Sequence, residues 1–249
     1  MERVDVVQTN NDRITVRVDD AFLKIDASHE RIEREVQAMN LAPVPTPDVL
    51  WYKPPALALR ALRGRALGHL GKPSTAGPAA WAAAGAVIRR LHDAPLPPWP
   101  GKSVDELRAV LVRESDWLIV NEVLPADVIE RNRSMAEEVL RTWIPVFTHG
   151  DLHIEHVFSD SDAITGIIDW SEAGPGDAMF DLASLTLGQD ANVADVIAGY
   201  GPEVDRNAIA SWQSWRCLKV IRWLSENGYG DPKDLPETAI LRSLASRGR

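Results

Sequence analysis

The sequence predicts an α+β fold in which a small antiparallel sheet with one helix is joined to a larger, mainly helical body. Three observations predict it. Apolar residues alternate through the first twenty-five positions, helical periodicity dominates after Pro78, and the proline-rich PVPTPDVLWYKPP lies between the two patterns.

The start reads as a meander of three strands, VDVVQ, ITVRV and AFLKI, separated by the polar TNND and by Asp19-Asp20. SHERIEREVQAMN follows as a helix, with Ser28 as its N-cap and Ile32, Val36 and Met39 on one face. PVPTPDVLWYKPP carries too much proline for a helix and must be extended or turning. It leads into LALRALRG, a strand expected to end at Gly64, and the whole segment has the look of a hinge. From Pro78, PAAWAAAGAVIRRLHDAP is a helix, stopped by PLPPWPG with its four prolines in six residues. Further helices are expected near 103–121, 125–142, 191–199 and 205–227. VFTHGDLHIEHVF and AITGIIDW interrupt them as two short strands around a polar loop.

A chain of 249 residues, 45% hydrophobic, can bury the core of one large domain or of two packed lobes. The single cysteine, Cys217, excludes an intrachain disulfide and sits at helical spacing in SWQSWRCLKVIRWL, where it reads as a packing residue. Neither a secretory start nor an apolar span of membrane length is seen, so a cytoplasmic protein with no membrane partner is expected. Charge is uneven. Residues 1–100 hold 13 Lys/Arg and 11 Asp/Glu, whereas residues 101–249 hold 14 and 25. That acidic part argues against a nucleic-acid surface and suits either a cationic small substrate or solubility alone.

The chemistry concentrates in HGDLHIEH, residues 149–156, and GIIDW, residues 166–170. In a protein-kinase catalytic loop, H-R-D-x-x-x-x-N, the Asp orients the acceptor hydroxyl and the Asn five residues later holds magnesium; a later Asp completes the metal site. Asp151 and His156 have that spacing, and Asp169 supplies the later carboxylate. Asp151 is therefore the candidate base, and His156 and Asp169 the candidate metal ligands. Magnesium prefers oxygen and imidazole suits softer ions, so His156 either binds through a ring nitrogen, acts through water, or packs against Asp151. His149, Asp151, His153 and His156 also allow a zinc or di-metal hydrolase, although Gly150 and the strand-like flanks do not fit the helical H-E-x-x-H pattern.

THGDLHIEHVF, GIIDWSEAG and GDAMFDLASL, in that order, resemble the aminoglycoside phosphotransferase family, with its HGDxxxxN loop, I-D-W or I-D-F segment and G-D-x-x-x-D-L-A stretch. The resemblance runs through Asp151, Asp169, Asp177 and Asp181 and extends to the N-terminal sheet, the VPTPDVL connector and the RRLHDAP helix end. It implies a protein-kinase-like bilobal fold, with residues 1–62 as the nucleotide lobe and 63–249 as the catalytic and substrate lobe. It also implies transfer of the γ-phosphate of ATP, GTP not being excluded, to a hydroxyl of a small molecule with Mg2+ or Mn2+. The acceptor expected first is an antibiotic, which would make the chain a resistance determinant; a choline-, sugar- or amino-acid-like metabolite is the alternative. A kinase-like protein that binds without catalysis is the remaining reading, opposed by the joint presence of Asp151, Asp169 and Lys24.

In the kinase arrangement a strand lysine holds the α/β-phosphates and pairs with a helix glutamate. Lys24 is placed for that role, with Glu35 as partner and Glu33 as runner-up. By resemblance, the hinge at Ala58, Leu59, Arg60, Ala61 and Leu62 offers backbone groups to the purine. No G-x-G-x-x-G joins the first strands, so Thr9, Asn10 and Asn11 are the expected phosphate cover. His149 should brace the loop, while His153, Glu155 and Glu172 are expected near the substrate. The helices between Gly101 and Leu140, with Trp212, Trp215 and Trp223, either frame an acceptor pocket or form a buried helix face. A monomer or weak dimer is expected.

Overall fold

A computed structural model describes residues 4–9 and 12–247. Five strands form the first sheet: β1 (Val4–Thr9), β2 (Arg13–Val18), β3 (Ala21–Asp26), β4 (Val49–Lys53) and β5 (Ala56–Arg60). Their order is β1-β2-β3-β5-β4, antiparallel throughout. The β2–β3 register sets Arg13 opposite Asp26 and Thr15 opposite Lys24. Cross-strand partners share a face, so these four side chains lie together on the side turned toward the helical body. Helix α1 (His29–Leu41) crosses from β3 to β4; Ser28 caps it by accepting the Arg31 N–H, and its buried residues include Ile32, Glu35, Val36 and Met39.

The proline-rich connector does more than turn, because its end forms the edge strand β4. Strand β5 stops at Arg60 rather than at Gly64, and a two-residue strand, β6 (Arg65–Ala66), follows. Helices α2 (Pro78–His92), α3 (Val104–Val120) and α4 (Ala126–Glu137) then lead to β7 (Val146–Thr148), β8 (Val157–Asp160) and β9 (Ala163–Ile167). Strands β6, β8 and β9 make one small sheet, and β7 pairs with β10 (Gly174–Gly176). Helix α4 ends five residues short of the expected 142. Its last turn tightens through Val139 N–H to Ala136 and Leu140 N–H to Glu137, and Arg108 takes the free Leu140 carbonyl at 2.8 Å.

Four helices complete the body: α5 (Ala178–Leu185), α6 (Val193–Tyr200), α7 (Arg206–Glu226) and α8 (Pro236–Arg247). Helix α7 is its axis, packing against α3, α4, α5 and α8. Trp212, Trp215, Cys217, Leu218 and Ile221 are all buried, so α7 has no single apolar stripe. Cys217 is a packing residue as expected, and burial pushes its thiol pKa up. Helices α2 and α6 meet through Gly85 and Gly199: a Cβ would stand 2.1 Å from the Val196 carbonyl oxygen at the first and 1.7 Å from that of Ala82 at the second. Only glycine permits that approach. Among the described residues, no helix is long and apolar enough to cross a membrane.

Candidate active site

Strand β7 delivers the chain into the loop His149–His156. Gly150 turns it with φ +80°, and a Cβ there would meet the Glu172 carbonyl oxygen at 2.3 Å. The loop is fastened from below. The Asp181 carboxylate, fully buried on α5, accepts the N–H groups of His149 at 2.7 Å and Gly150 at 3.0 Å. The same carboxylate lies 3.2 Å from His92 Nε2, and His92 Nδ1 lies 3.0 Å from the Tyr200 hydroxyl. His149 braces the other side, donating from Nε2 to the Ile168 carbonyl at 3.0 Å and accepting the Asp151 N–H at Nδ1. Burial lowers its pKa, which keeps it neutral.

Asp151 presents its carboxylate to Arg216 of α7 at 2.7 Å. Burial alone would raise its pKa, but Arg216, His156 and His153 reverse that and hold it well below the usual carboxylate range. His156 donates from Nδ1 to the Asp151 carbonyl at 2.8 Å. That bond turns Nε2 toward Asp169 Oδ2 at 3.8 Å. His153 packs its ring 3.6 Å from that of His156, centroid to centroid. Burial, then the neighbouring His156, pushes its pKa down to about 2.

Asp169 sits at the end of β9 in a left-handed conformation, φ 66°, a strained one for an aspartate. It receives Lys24 Nζ at 3.3 Å and Arg13 Nη1 at 3.4 Å. Burial tends to raise its pKa, and Lys24, His156 and Arg13 together lower it. Lys24 also meets Glu35 Oε1 at 2.5 Å. Burial opposes the lysine charge, yet Asp169 and Glu35 outweigh it and raise the ammonium pKa. The pair is thus Lys24–Glu35; Glu33 is exposed.

Beside this cluster lies a cavity of about 290 Å³, which begins at Gly150 and Glu172 and runs between α1, α3 and α7. Trp143, Phe180, Trp212 and Trp215 form its apolar wall. Trp212 and Trp215 thus belong to the buried face of α7 and also line the cavity, while Trp223 is 43% exposed and stacks on Tyr229 instead.

Several expectations need correction. Ala58, Leu59 and Arg60 lie in β5, paired to β3 on one side, and Ala58 and Leu59 are paired to β4 on the other. The Arg60 and Ala61 N–H groups go to the Asp48 and Asp20 carbonyls, so neither of these two N–H groups is free for a purine. His153 is packed inside the loop cluster, not on a substrate-facing surface. Glu155 points away, accepting the Leu70 N–H at 3.2 Å and lying 3.3 Å from His69 Nδ1. Glu172 does line the cavity, paired to Lys102 at 2.7 Å. Thr9 is exposed at the end of β1, and Asn10 and Asn11 lie outside the described residues. Sequence reasoning missed Arg13, Arg216 and Lys219. The last two had a signal: cations three residues apart in a helix otherwise full of buried aromatic and apolar residues.

The donor set suits a divalent cation. His156 donates one ring nitrogen to a carbonyl and turns the other toward Asp169, the arrangement typical of metal-binding imidazoles. Ligand atoms of Asp151, His153 and His156 all lie within 4.8 Å of one another. His149, whose ring nitrogens are both taken by backbone groups, has no part in it.

Comparison with known proteins agrees with this geometry. The solved structure of the GDP complex of wild-type aminoglycoside 2'-phosphotransferase-IIIa is similar at TM-score 0.77 and 15% identity, over 100% of this chain and 94% of that one. Macrolide 2'-phosphotransferase type I is similar at TM-score 0.67 and 19% identity, over 97% and 90%. A choline/ethanolamine kinase family protein from Mesorhizobium loti is similar at TM-score 0.67 and 21% identity, over 98% and 86%. No curated protein matches the sequence. At such identities these likenesses establish the protein-kinase-like fold. The profile of the phosphotransferase enzyme family matches residues 3–220, and the chain belongs to that family of small-molecule phosphotransferases.

Proposed function

We propose that this protein transfers the γ-phosphate of a nucleoside triphosphate to a hydroxyl of a small molecule held in the cavity, with Asp151 as the base. The observation that supports it most is the convergence of Asp151, His156, Asp169 and Lys24: His156 joins the Asp151 carbonyl to Asp169, which receives Lys24, beside the cavity that begins at Gly150. The acceptor hydroxyl donates to Asp151. As its oxygen bonds to the γ-phosphorus, the bond from that phosphorus to the β-bridging oxygen breaks, the nucleoside diphosphate leaves, and the hydroxyl proton passes to the carboxylate. A carboxylate held so far below the usual range is a weak proton acceptor, so its main work is orientation, with the proton moving late.

Lys24, held by Glu35, is the ligand for the α/β-phosphates, and the chain from Leu62 onward offers backbone to the base. Residues 1–62 form the nucleotide lobe in this reading, and 63–249 the catalytic and acceptor lobe. A divalent cation at Asp169 and His156 would neutralise charge spread over the β- and γ-phosphates. Nitrogen from His156 favours manganese relative to an all-oxygen site, beside magnesium. Use of a cellular nucleoside triphosphate is consistent with a cytoplasmic protein. The test is nucleotide turnover by the purified protein, with ATP or GTP and Mg2+ or Mn2+, across a panel of hydroxylated antibiotics and metabolites. Phosphorylated acceptor in proportion to nucleotide consumed is the expected result; nucleotide hydrolysis indifferent to every acceptor would refute phosphotransfer. His156→Asn should shift the metal preference toward magnesium.

A further inference from the structure

The net charge of the second part of the chain suggests a cationic acceptor, but the cavity does not share that charge. Its three acidic side chains are already engaged. Glu172 pairs with Lys102 at 2.7 Å, Asp177 accepts from Trp212 Nε1 at 2.8 Å and the Met179 N–H at 2.9 Å, and Glu30 takes Arg34 at 3.2 Å. On the basic side, Arg31 is held by Asp26 at 2.7 Å and Arg34 by Glu30, leaving Lys219 as the exception. It lines the cavity one turn beyond Arg216, half-buried, with Nζ 5.7 Å from the centre of the Trp215 ring. Among the described residues it has no ion pair within 4 Å.

Every charged neighbour of Lys219 bears on what it can bind. Lys102 and Arg216 repel it, Glu172 and Asp151 attract it, and burial together with the two cations prevails, lowering its pKa. Both carboxylates are in turn neutralised, Glu172 by Lys102 and Asp151 by Arg216. Lys219 is thus a cation without a paired carboxylate in a half-buried, aromatic setting, which costs stability unless a ligand offsets it. A bound oxyanion would gain from the unpaired Lys219, whereas an ammonium placed beside it would be repelled.

Resting on the phosphotransfer reading, we infer that the acceptor bears an anionic oxygen group, a carboxylate or a phosphate ester, and that Lys219, flanked by Lys102, receives it beside Trp215. Lys219 is thus a specificity-determining residue, and the aromatic wall of Trp212, Trp215 and Phe180 holds the body of the acceptor while its hydroxyl reaches Asp151.

Calorimetric titration with four matched alcohols tests this: 4-(hydroxymethyl)benzoate, its methyl ester, 4-(hydroxymethyl)benzylamine and 4-(hydroxymethyl)phenyl phosphate. At least one of the two anions should bind about tenfold more tightly than the ester, and the amine more weakly than the ester. The tighter of the two anions tells which acidic group the site was built for. Lys219→Met should abolish the preference and leave nucleotide affinity unchanged, and Lys219→Arg should keep it. Ester or amine binding as tightly as both anions overturns the inference, as does a preference that survives in Lys219→Met. So does a Lys219→Met variant that loses nucleotide affinity instead, which would assign the lysine to the nucleotide phosphates. Nucleotide turnover with the same alcohols separates the two levels: anion selectivity without any phosphate transfer would refute phosphotransfer and leave the anion site standing.

Discussion

The two sides of the site are held in different ways. On the sheet side, β1 and β4 leave apolar residues in water, Val4 and Val6 each 61% exposed, so this layer has little core of its own beyond α1 and β5. Its functional groups are placed by ion pairs, Lys24–Glu35 within the sheet layer and Lys24–Asp169 and Arg13–Asp169 across to the body. On the body side the loop His149–His156 is pinned by backbone hydrogen bonds to a fully buried carboxylate, Asp181, above a core that includes Phe147, Trp170 and Leu182. Buried, satisfied hydrogen bonds define one geometry and are costly to break. Ion pairs between exchangeable partners can open when phosphates or a cation arrive. Asp151 thus belongs to the rigid part, and Lys24 and Arg13 to the adaptable part.

That contrast can be broken most forcefully at Asp181. Asp181→Ala leaves the His149 and Gly150 N–H groups and His92 without their acceptor, and should cost about 3 kcal/mol or more of stability. Urea melts would show it; a loss under 1 kcal/mol would mean that the loop is fastened elsewhere. Lys24→Arg, which keeps a cation beside the buried Glu35, should have the opposite character. Turnover should fall on the order of 100-fold because the guanidinium displaces the charge from the ammonium position, while the urea midpoint moves little. A stability loss as large as that of the Asp181 variant would remove the distinction between the two sides.

A third effect concerns pH. His153 has a folded pKa of about 2, far below the unfolded histidine value of about 6.5. Above about 6.5 neither state binds the proton. Below it the unfolded chain does and the folded chain does not, so stability falls as pH drops, by up to roughly 1.4 kcal/mol per pH unit for this one group. His153→Gln should flatten the decline between about pH 6.5 and 4. An unchanged slope would show that His153 takes up its proton in the folded state.

Much of this was legible in the sequence where the signal is local. The β1–β3 meander, the Ser28 cap, the Lys24–Glu35 pair and the bracing role of His149 each follow from residues close in sequence or from a compact motif. What escaped depends on contacts across long separations. Arg216 meets Asp151 sixty-five residues away, and Arg13 meets Asp169 across 156. Helix α5 has only eight residues, too short for a periodic pattern to stand out. Glu155 and His153 stand beside Asp151 in sequence, yet the loop turns one outward and the other into its own packing. Summed charge is a weak guide for a similar reason: acidity spread over a surface says little of a cavity in which Glu172 and Glu30 meet cations and Asp177 accepts from Trp212.

The central claim is that Asp151 orients and deprotonates the acceptor without holding the fold or the nucleotide. The most direct test measures phosphate transfer, nucleotide affinity and thermal stability together in Asp151→Asn. Transfer should fall by about 10²- to 10⁴-fold, with nucleotide affinity within about threefold of the parent and no large loss of stability. Transfer near the parental rate, or a loss that merely follows weakened nucleotide binding, would contradict it.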